Sequence, residues 1–223
     1  MCFVVNEGAD LPELPEGVEV EWVNFQPNPL RFNAGFDNEE VYNAIRIDKG
    51  RRILAGMHHA GGRDYKGYFM IVDDDDFVNR NIVSFVKKNY NENGWYIHKG
   101  YIYDINSKFL LRYRKFSDFC GTSLIVRADL YNLPPTIEAT SDDYIRKFLG
   151  SHIFIKDILK NAGTPLSPLP FYGAMYRIGH SGAVSQSKSL KNMFFSTRNP
   201  VQFIKNILKL RPLTSFIRKE FTL

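Results

Sequence analysis

The stretch Tyr68-Phe69-Met70-Ile71-Val72-Asp73-Asp74-Asp75-Asp76-Phe77 is where five apolar residues run directly into four aspartates, after which the chain turns apolar again at Phe77 and Val78. A short unbroken apolar run suits a strand buried on both faces of a sheet, which predicts an α/β protein with helices on either side. Ligands of such sheets gather beyond the carboxyl ends of the strands. Four carboxylates placed there repel one another unless a cation sits among them, so the run reads as a divalent-cation site. The plainer alternative is a solvated acidic turn leading into the next helix.

Upstream, Cys2 to Val5 reads as a first strand and Val18 to Val23 as a second, with Val18, Val20 and Trp22 facing inward against Glu19 and Glu21. The prolines at 12 and 15 mark a loop between them. From Asn38 a helix is predicted, with Glu39 and Glu40 in its first turn and Val41, Ala44 and Ile45 on one face. Gly50 reads as an interruption of it, and His58 to Lys66 as a polar loop.

Downstream, Asn79 is placed to cap a helix with Ile82, Val83, Val86 and Tyr90 on its inner face. Trp95 to Ile105 and Lys108 to Tyr113 read as a hairpin about Asn106 and Ser107, with Thr122 to Val126 as a further strand. Ser141 caps a helix from Asp142 to about Leu149, hinged at Gly150. Phe171 to Ile178 reads as a strand, and helices follow around Val201 to Leu210 and after Pro212. Strand and helix alternate first, and the second half is mixed. A mixed, mainly parallel sheet flanked by helices is therefore expected, with a domain over 1–186 and a basic helical extension over 187–223.

At 223 residues, with 44% hydrophobic and 24% charged residues, the chain has the composition of an ordinary globular protein. Cys2 and Cys120 are too few for a disulfide framework or a cysteine metal cluster. No apolar stretch approaches the roughly 18 residues of a membrane span, and the first residues lack the order of a signal peptide, so a cytoplasmic protein is expected. The net charge of +5 is concentrated at the end: from Ser187 onward there are eight basic residues against Glu220 alone. The remainder is slightly acidic and carries no recognition motif, which argues against nucleic acid as a partner. The tail instead alternates Phe203, Ile204, Ile207 and Leu208 with Lys205 and Lys209, a pattern suited either to a C-terminal helix packed on the domain, which is the preferred expectation, or to peripheral contact with anionic lipid on the inner face of a membrane.

The pattern from Gly50 through Ala55 to Ala60, followed by Gly67-Tyr68-Phe69-Met70-Ile71-Val72 and the aspartates, resembles nucleotide-sugar glycosyltransferases of the Rossmann-like GT-A fold, the family 2 type in particular. In that family a strand ends in an Asp-x-Asp motif. The resemblance implies that Asp73, with Asp74 beside it, contacts the sugar nucleotide, and that Asp75, with Asp76 adjacent, binds Mn²⁺ or Mg²⁺. A shift by one residue would move these roles to Asp74 and Asp76. Ser141-Asp142-Asp143-Tyr144 is similar to the family's second acidic signature, which makes Asp143, beside Asp142, the candidate base toward an acceptor hydroxyl. Helix capping explains the same residues.

His180, in Gly179-His180-Ser181-Gly182, resembles the late histidine that closes the metal site, and His152 is its rival. Phe119-Cys120-Gly121-Thr122-Ser123 resembles an acceptor-side loop, with Gly121 and Asp118 near the acceptor. Trp95 is a candidate for stacking on a sugar, although core packing competes for it. Arg51 is a candidate partner for the donor diphosphate. The first strand lacks the family's Pro-x-Tyr-Asn, and Val23-Asn24-Phe25 lacks its Asp-Gly-Ser, leaving Asn6, Glu7 and Asn24 as substitutes. The implied activity is metal-dependent, hexosyltransferase-like transfer of a sugar from a nucleoside-diphosphate sugar, with a UDP-sugar as first expectation. The acceptor would be a glycan or a lipid-linked sugar in surface polysaccharide or lipopolysaccharide biosynthesis. The alternative is a non-catalytic nucleotide- or glycan-binding module on a degenerate scaffold of the same kind.

Overall fold

The structure is a computed structural model that describes residues 1–26, 29, 39–179 and 200–223. Its contacts divide the chain into two units, Met1–Phe69 with Val126–Leu166, and Met70–Ile125 with Ser167–Leu223. The boundary expected at residue 186 lies outside the described residues, and the described residues after it, 200–223, belong to the second unit.

In the first unit β1 (Cys2–Asn6) and β2 (Glu19–Val23) run parallel, in register from Cys2 opposite Glu19 to Asn6 opposite Val23. The expected facing of β2 holds at Glu19, exposed, and Val20, partly buried, but fails at Trp22, which is 47% exposed while Val23 is buried. The reason is charge. Glu19 and Glu21 share one side of the strand, and both carboxylates reach His59, at 2.8 Å from Nε2 and 2.7 Å from Nδ1. That pairing raises the proton affinity of His59, with Glu19 the larger cause. His59 is the last residue of α1 (Glu39–His59), which therefore extends past the point where a loop was expected.

Gly50 does not interrupt α1. It lies where the segment after Ser141 crosses the helix. A Cβ there would meet Ile145 Cγ2 at 2.5 Å, the Ile145 carbonyl at 2.8 Å and the Gly150 nitrogen at 3.0 Å. Gly150 is the reciprocal contact, since a Cβ on it would overlap the backbone carbonyl of Arg46. The crossing segment starts as expected. Ser141 Oγ accepts the Tyr144 N–H at 3.2 Å and opens α3 (Asp142–Tyr144), which continues as a π turn to Leu149. The turn is closed by the Gly150 N–H on the Ile145 carbonyl at 2.7 Å. The next helix, α4 (His152–Asn161), is capped by Ser151.

The second unit is built on a five-stranded sheet of order β11 (Leu210–Pro212), β7 (Phe109–Arg114), β6 (Lys99–Asp104), β10 (Tyr172–Ile178), β4 (Phe77–Val78). The hairpin predicted about Asn106 and Ser107 forms, with the Ser107 N–H on the Asp104 carbonyl at 2.8 Å. Only β6 and β10 are parallel, and the other three pairings are antiparallel. The expectation of a mainly parallel sheet is corrected accordingly. Hairpin and edge additions enforce antiparallel pairing, and only the long excursion between β7 and β10 permits a parallel neighbour. Tyr101, Tyr103, Leu110 and Met175 pack on one side with Phe221, and Ile102, Leu111 and Ile178 on the other. Two shorter strands, β5 (Gly94–Tyr96) and β9 (Ser167–Pro168), pair in parallel. The chain passes between the units at β3 (Tyr68–Met70) and β8 (Leu124–Arg127).

Two further expectations change. The strand before the aspartates is only half-buried and ends at Met70, and Val72 is 42% exposed. The helix after them, α2 (Ile82–Lys88), buries Ile82 but turns Val83 and then Tyr90 to solvent, at 63% and 68% exposed. Its cap position is Asn81, while Asn79 is buried, donating to the Tyr172 carbonyl at 3.0 Å and accepting the Asn81 N–H at 2.9 Å. Altogether the chain is a mixed α/β protein.

The glycine crossing gives the first test. Gly→Ala inside a helix ordinarily stabilises by about 1 kcal/mol, but overpacking costs roughly 1–3 kcal/mol. At Gly50 part of the strain falls on an Ile side chain that can shift, whereas at Gly150 it falls on backbone. Urea unfolding is expected to show Gly150→Ala destabilised by about 2 kcal/mol or more and Gly50→Ala by less. A stabilised Gly150→Ala protein would contradict the crossing.

Candidate functional site

The aspartate run is a turn rather than the end of a strand. The Asp76 N–H donates to the Asp73 carbonyl at 3.1 Å, which leaves Asp74 and Asp75 at the corner. Asp74 is exposed, while Asp73, Asp75 and Asp76 are partly buried. The turn is fixed from outside by residues distant in sequence. The Asp73 N–H donates to Thr122 Oγ1 at 2.9 Å. The Asp76 carboxylate accepts the Cys120 thiol at 3.2 Å and the Arg177 backbone N–H at 3.2 Å.

The partner loop is itself held by the sheet. Phe116, fully buried, lies on Gly100 of β6, where any Cβ would overlap its ring. The Phe116 N–H donates to the His98 carbonyl at 3.2 Å, and the Cys120 N–H returns to the Phe116 carbonyl at 3.0 Å. Ser123 closes the loop on β5, its carbonyl accepting the Ile97 N–H at 2.7 Å. On the other side of the turn, Phe77 lies opposite Met175 in the β4–β10 pairing. Asp76 thus falls beside the carboxyl-terminal half of β10.

Burial raises the pKa of Asp76 from its ordinary 3.8 to about 6, against the opposing hydrogen bonds from Thr122 and Cys120, with Asp73 adding repulsion. The Cys120 thiol is raised as well, chiefly by burial and then by the Asp76 charge. Cys120 is therefore a protonated donor at neutral pH and not a nucleophile. A half-desolvated carboxylate poised near neutrality beside a polar turn is the most perturbed carboxyl group of the second unit's described residues, and such groups collect at functional sites.

Among the expected site residues, the structure brings the aspartate turn and the loop of Asp118 and Gly121 together. Asp118 accepts the Ser117 hydroxyl at 3.4 Å, and beside it Phe119, 40% exposed, forms an aromatic group with Tyr113 at 4.9 Å and Tyr176 at 5.0 Å. Asp76, an expected metal ligand, accepts hydrogen bonds from Cys120 and from the Arg177 backbone and thereby also anchors the turn. The expectation for Trp95 is corrected: it is 3% exposed, packed edge-on to Phe85 at 5.3 Å, and has no face for a sugar. His180 lies outside the described residues. Cys120, Thr122 and Arg177 were missed as members of the site. The sequence signal for the first two was the Phe119–Ser123 motif itself, but nothing local marked Arg177.

In the first unit, two residues expected in different roles pair with each other: Arg51 Nη2 lies 3.1 Å from Asp142 Oδ1. Asp143 is bound by Arg146 at 2.8 Å and Lys147 at 2.9 Å on its own helical segment, and Lys147 first, then Arg146, hold its pKa below the ordinary carboxylate value. That lowers its strength as a base. Asn6 accepts Arg52 Nη1 at 2.7 Å, and Arg52 also grips Asp48 through two hydrogen bonds. His152 is the first residue of α4.

Among the described residues no group of three or more His, Cys, Asp or Glu is gathered to hold a metal ion. The exposed corner fits a cation only in a limited sense: Mg²⁺-type ions are commonly held by one or two carboxylates, with substrate phosphates supplying the rest. Comparison of the chain with protein-family models, with curated proteins and with solved structures gives no match.

The sign of the Asp76 perturbation is testable. The folded chain holds this proton more tightly than the unfolded chain, so the contribution to stability is complete below about pH 4 and is lost as pH rises through about 6. The full effect is at most about 3 kcal/mol. Asp76→Asn, which keeps an acceptor and removes the charge, is expected to be more stable than the parent at pH 7.5 by about 1–3 kcal/mol and to lose that advantage at pH 4.5. Denaturant unfolding at the two pH values reads this directly. Equal stability at both would mean that Asp76 is not desolvated.

Proposed function

We propose that the chain is a nucleotide-sugar glycosyltransferase of GT-A type, acting on a nucleoside-diphosphate sugar and a glycan or lipid-linked acceptor. The observation that carries the reading is the aspartate turn, pinned at Asp76 beside the carboxyl end of β10 while Asp74 and Asp75 occupy its open corner. Asp73 and Asp74 are assigned to the donor's hydroxyls, and Asp75 to Mn²⁺ or Mg²⁺ shared with the donor diphosphate. When bound, the cation neutralises charge on the leaving diphosphate. Asp76 keeps the turn in place through Cys120, Thr122 and Arg177, a positioning role. Phe119 with Tyr113 and Tyr176 offers an aromatic surface beside Asp118, suited to an acceptor sugar. Asp143 remains the proposed acceptor base, with Asp142 beside it.

A second reading, a binding module without transfer, is favoured by the ion pairs that weaken Asp143 and by the engagement of Asn6 with Arg52. The two separate in one assay. A UDP-sugar with Mn²⁺ is expected to raise the melting temperature under either reading, but only a transferase releases nucleoside diphosphate. EDTA is expected to abolish release and added Mn²⁺ to restore it, while Asp75→Ala lowers turnover by about 100-fold or more, as loss of charge stabilisation at a diphosphate does. Undiminished release in EDTA or in Asp75→Ala contradicts the assignment, and stabilisation without release selects the binding module.

A further inference from the structure

We propose that the helix α5 (Pro200–Lys209) and the cations around it form a docking face for an anionic lipid surface. Phe203, Ile204, Ile207 and Leu208 fall within an arc of roughly 140° at about 100° per residue. In a helix packed on its own domain such an arc is covered. Here Ile204 is 57%, Ile207 45% and Leu208 65% exposed, while Phe203 and Asn206 are half-buried.

The helix is nevertheless fixed in place. The chain leaves it directly into β11, which pairs along β7 from Leu210 opposite Leu111 to Pro212 opposite Phe109. Arg112 of β7 and Arg211 of β11 both donate to the Leu208 carbonyl, at 3.2 and 3.3 Å. The next helix, α6 (Ser215–Phe221), seats Phe221 in the core and leaves Phe216 69% exposed. Ile204, Ile207 and Leu208 of the arc are therefore exposed beside the edge strand of the sheet.

Charge decides what covers it. Lys205 and Lys209 border one side of the arc, the guanidiniums of Arg112 and Arg211 close its carboxyl end, and α5 itself contains no acidic residue. Two copies brought face to face would set these cations against one another. Apolar side chains bordered by cations along one side and at the carboxyl end match a surface that takes greasy groups below a layer of negative headgroups. No helix among the described residues is long and apolar enough to cross a membrane, so the contact is one of lying on the surface. The inference stands on exposure and charge and does not depend on glycosyl transfer.

The test is co-sedimentation of the full chain with vesicles of phosphatidylcholine, alone or with about one third phosphatidylglycerol. Binding to the anionic vesicles only is expected, weakening as salt is added. Lys205→Glu with Lys209→Glu is expected to reduce partitioning by roughly 25-fold or more, since each basic residue near such a surface contributes about fivefold. Ile204→Ser with Leu208→Ser is expected to abolish it. All four side chains are exposed, so both double variants should keep the parent's circular dichroism. Equal binding to neutral vesicles, binding unchanged in both variants, or no vesicle binding together with a dimer in light scattering that Ile204→Ser with Leu208→Ser dissolves would each overturn the proposal.

Discussion

The second unit turns on one partly buried carboxylate. Asp76 receives a thiol from the loop after β7 and a backbone N–H from β10, and so ties the aspartate turn, that loop and the central parallel strand into one arrangement. The tie has an energetic cost. Burial favours the protonated acid, and its value near 6 means that at neutral pH the fold carries a mostly ionised group it has partly removed from water. A neutral Asn would keep one acceptor at lower cost. Strongly perturbed carboxylates cluster at functional sites, which makes this one a candidate for function.

The consequence is a division of labour among four chemically identical neighbours. Asp76 faces inward and anchors. Asp74 and Asp75 form the corner of the turn, and the proposed function assigns them to the ligand. Gly100 reaches the same turn indirectly, because only a residue without Cβ lets Phe116 lie on β6 and set the height of the loop carrying Cys120 and Thr122. In the first unit a comparable constraint is the backbone crossing at Gly50 and Gly150, which fixes the segment that bears Asp142 and Asp143.

What could be read from the sequence was local chemistry. The cap at Ser141, the turn at Asn106 and Ser107, the acidic first turn of α1 and the extended run to Ile178 each depend on a few adjacent residues, and each formed as expected. What could not be read depended on remote partners. The outward turn of Trp22 follows from Glu19 and Glu21 reaching His59. The intact helix at Gly50 follows from Ile145 and Gly150 lying against it. The aspartate run was legible as a special feature, but which aspartate anchors was not, since that is decided by Cys120 and by the backbone of Arg177. Trp95 was legible as an aromatic, and its burial against Phe85 was not.

The central claim is that Asp76 is the desolvated anchor of a turn whose outer aspartates meet a ligand. Titration of ¹³C-labelled aspartate carboxyls by NMR tests it most directly. One resonance, lost in Asp76→Asn, is expected to titrate near pH 6, while Asp74 and Asp75 are expected to be the resonances that respond to Mg²⁺ with a nucleoside diphosphate. An Asp76 carboxyl titrating near 4, or one that responds to the cation while Asp75 does not, would contradict the account.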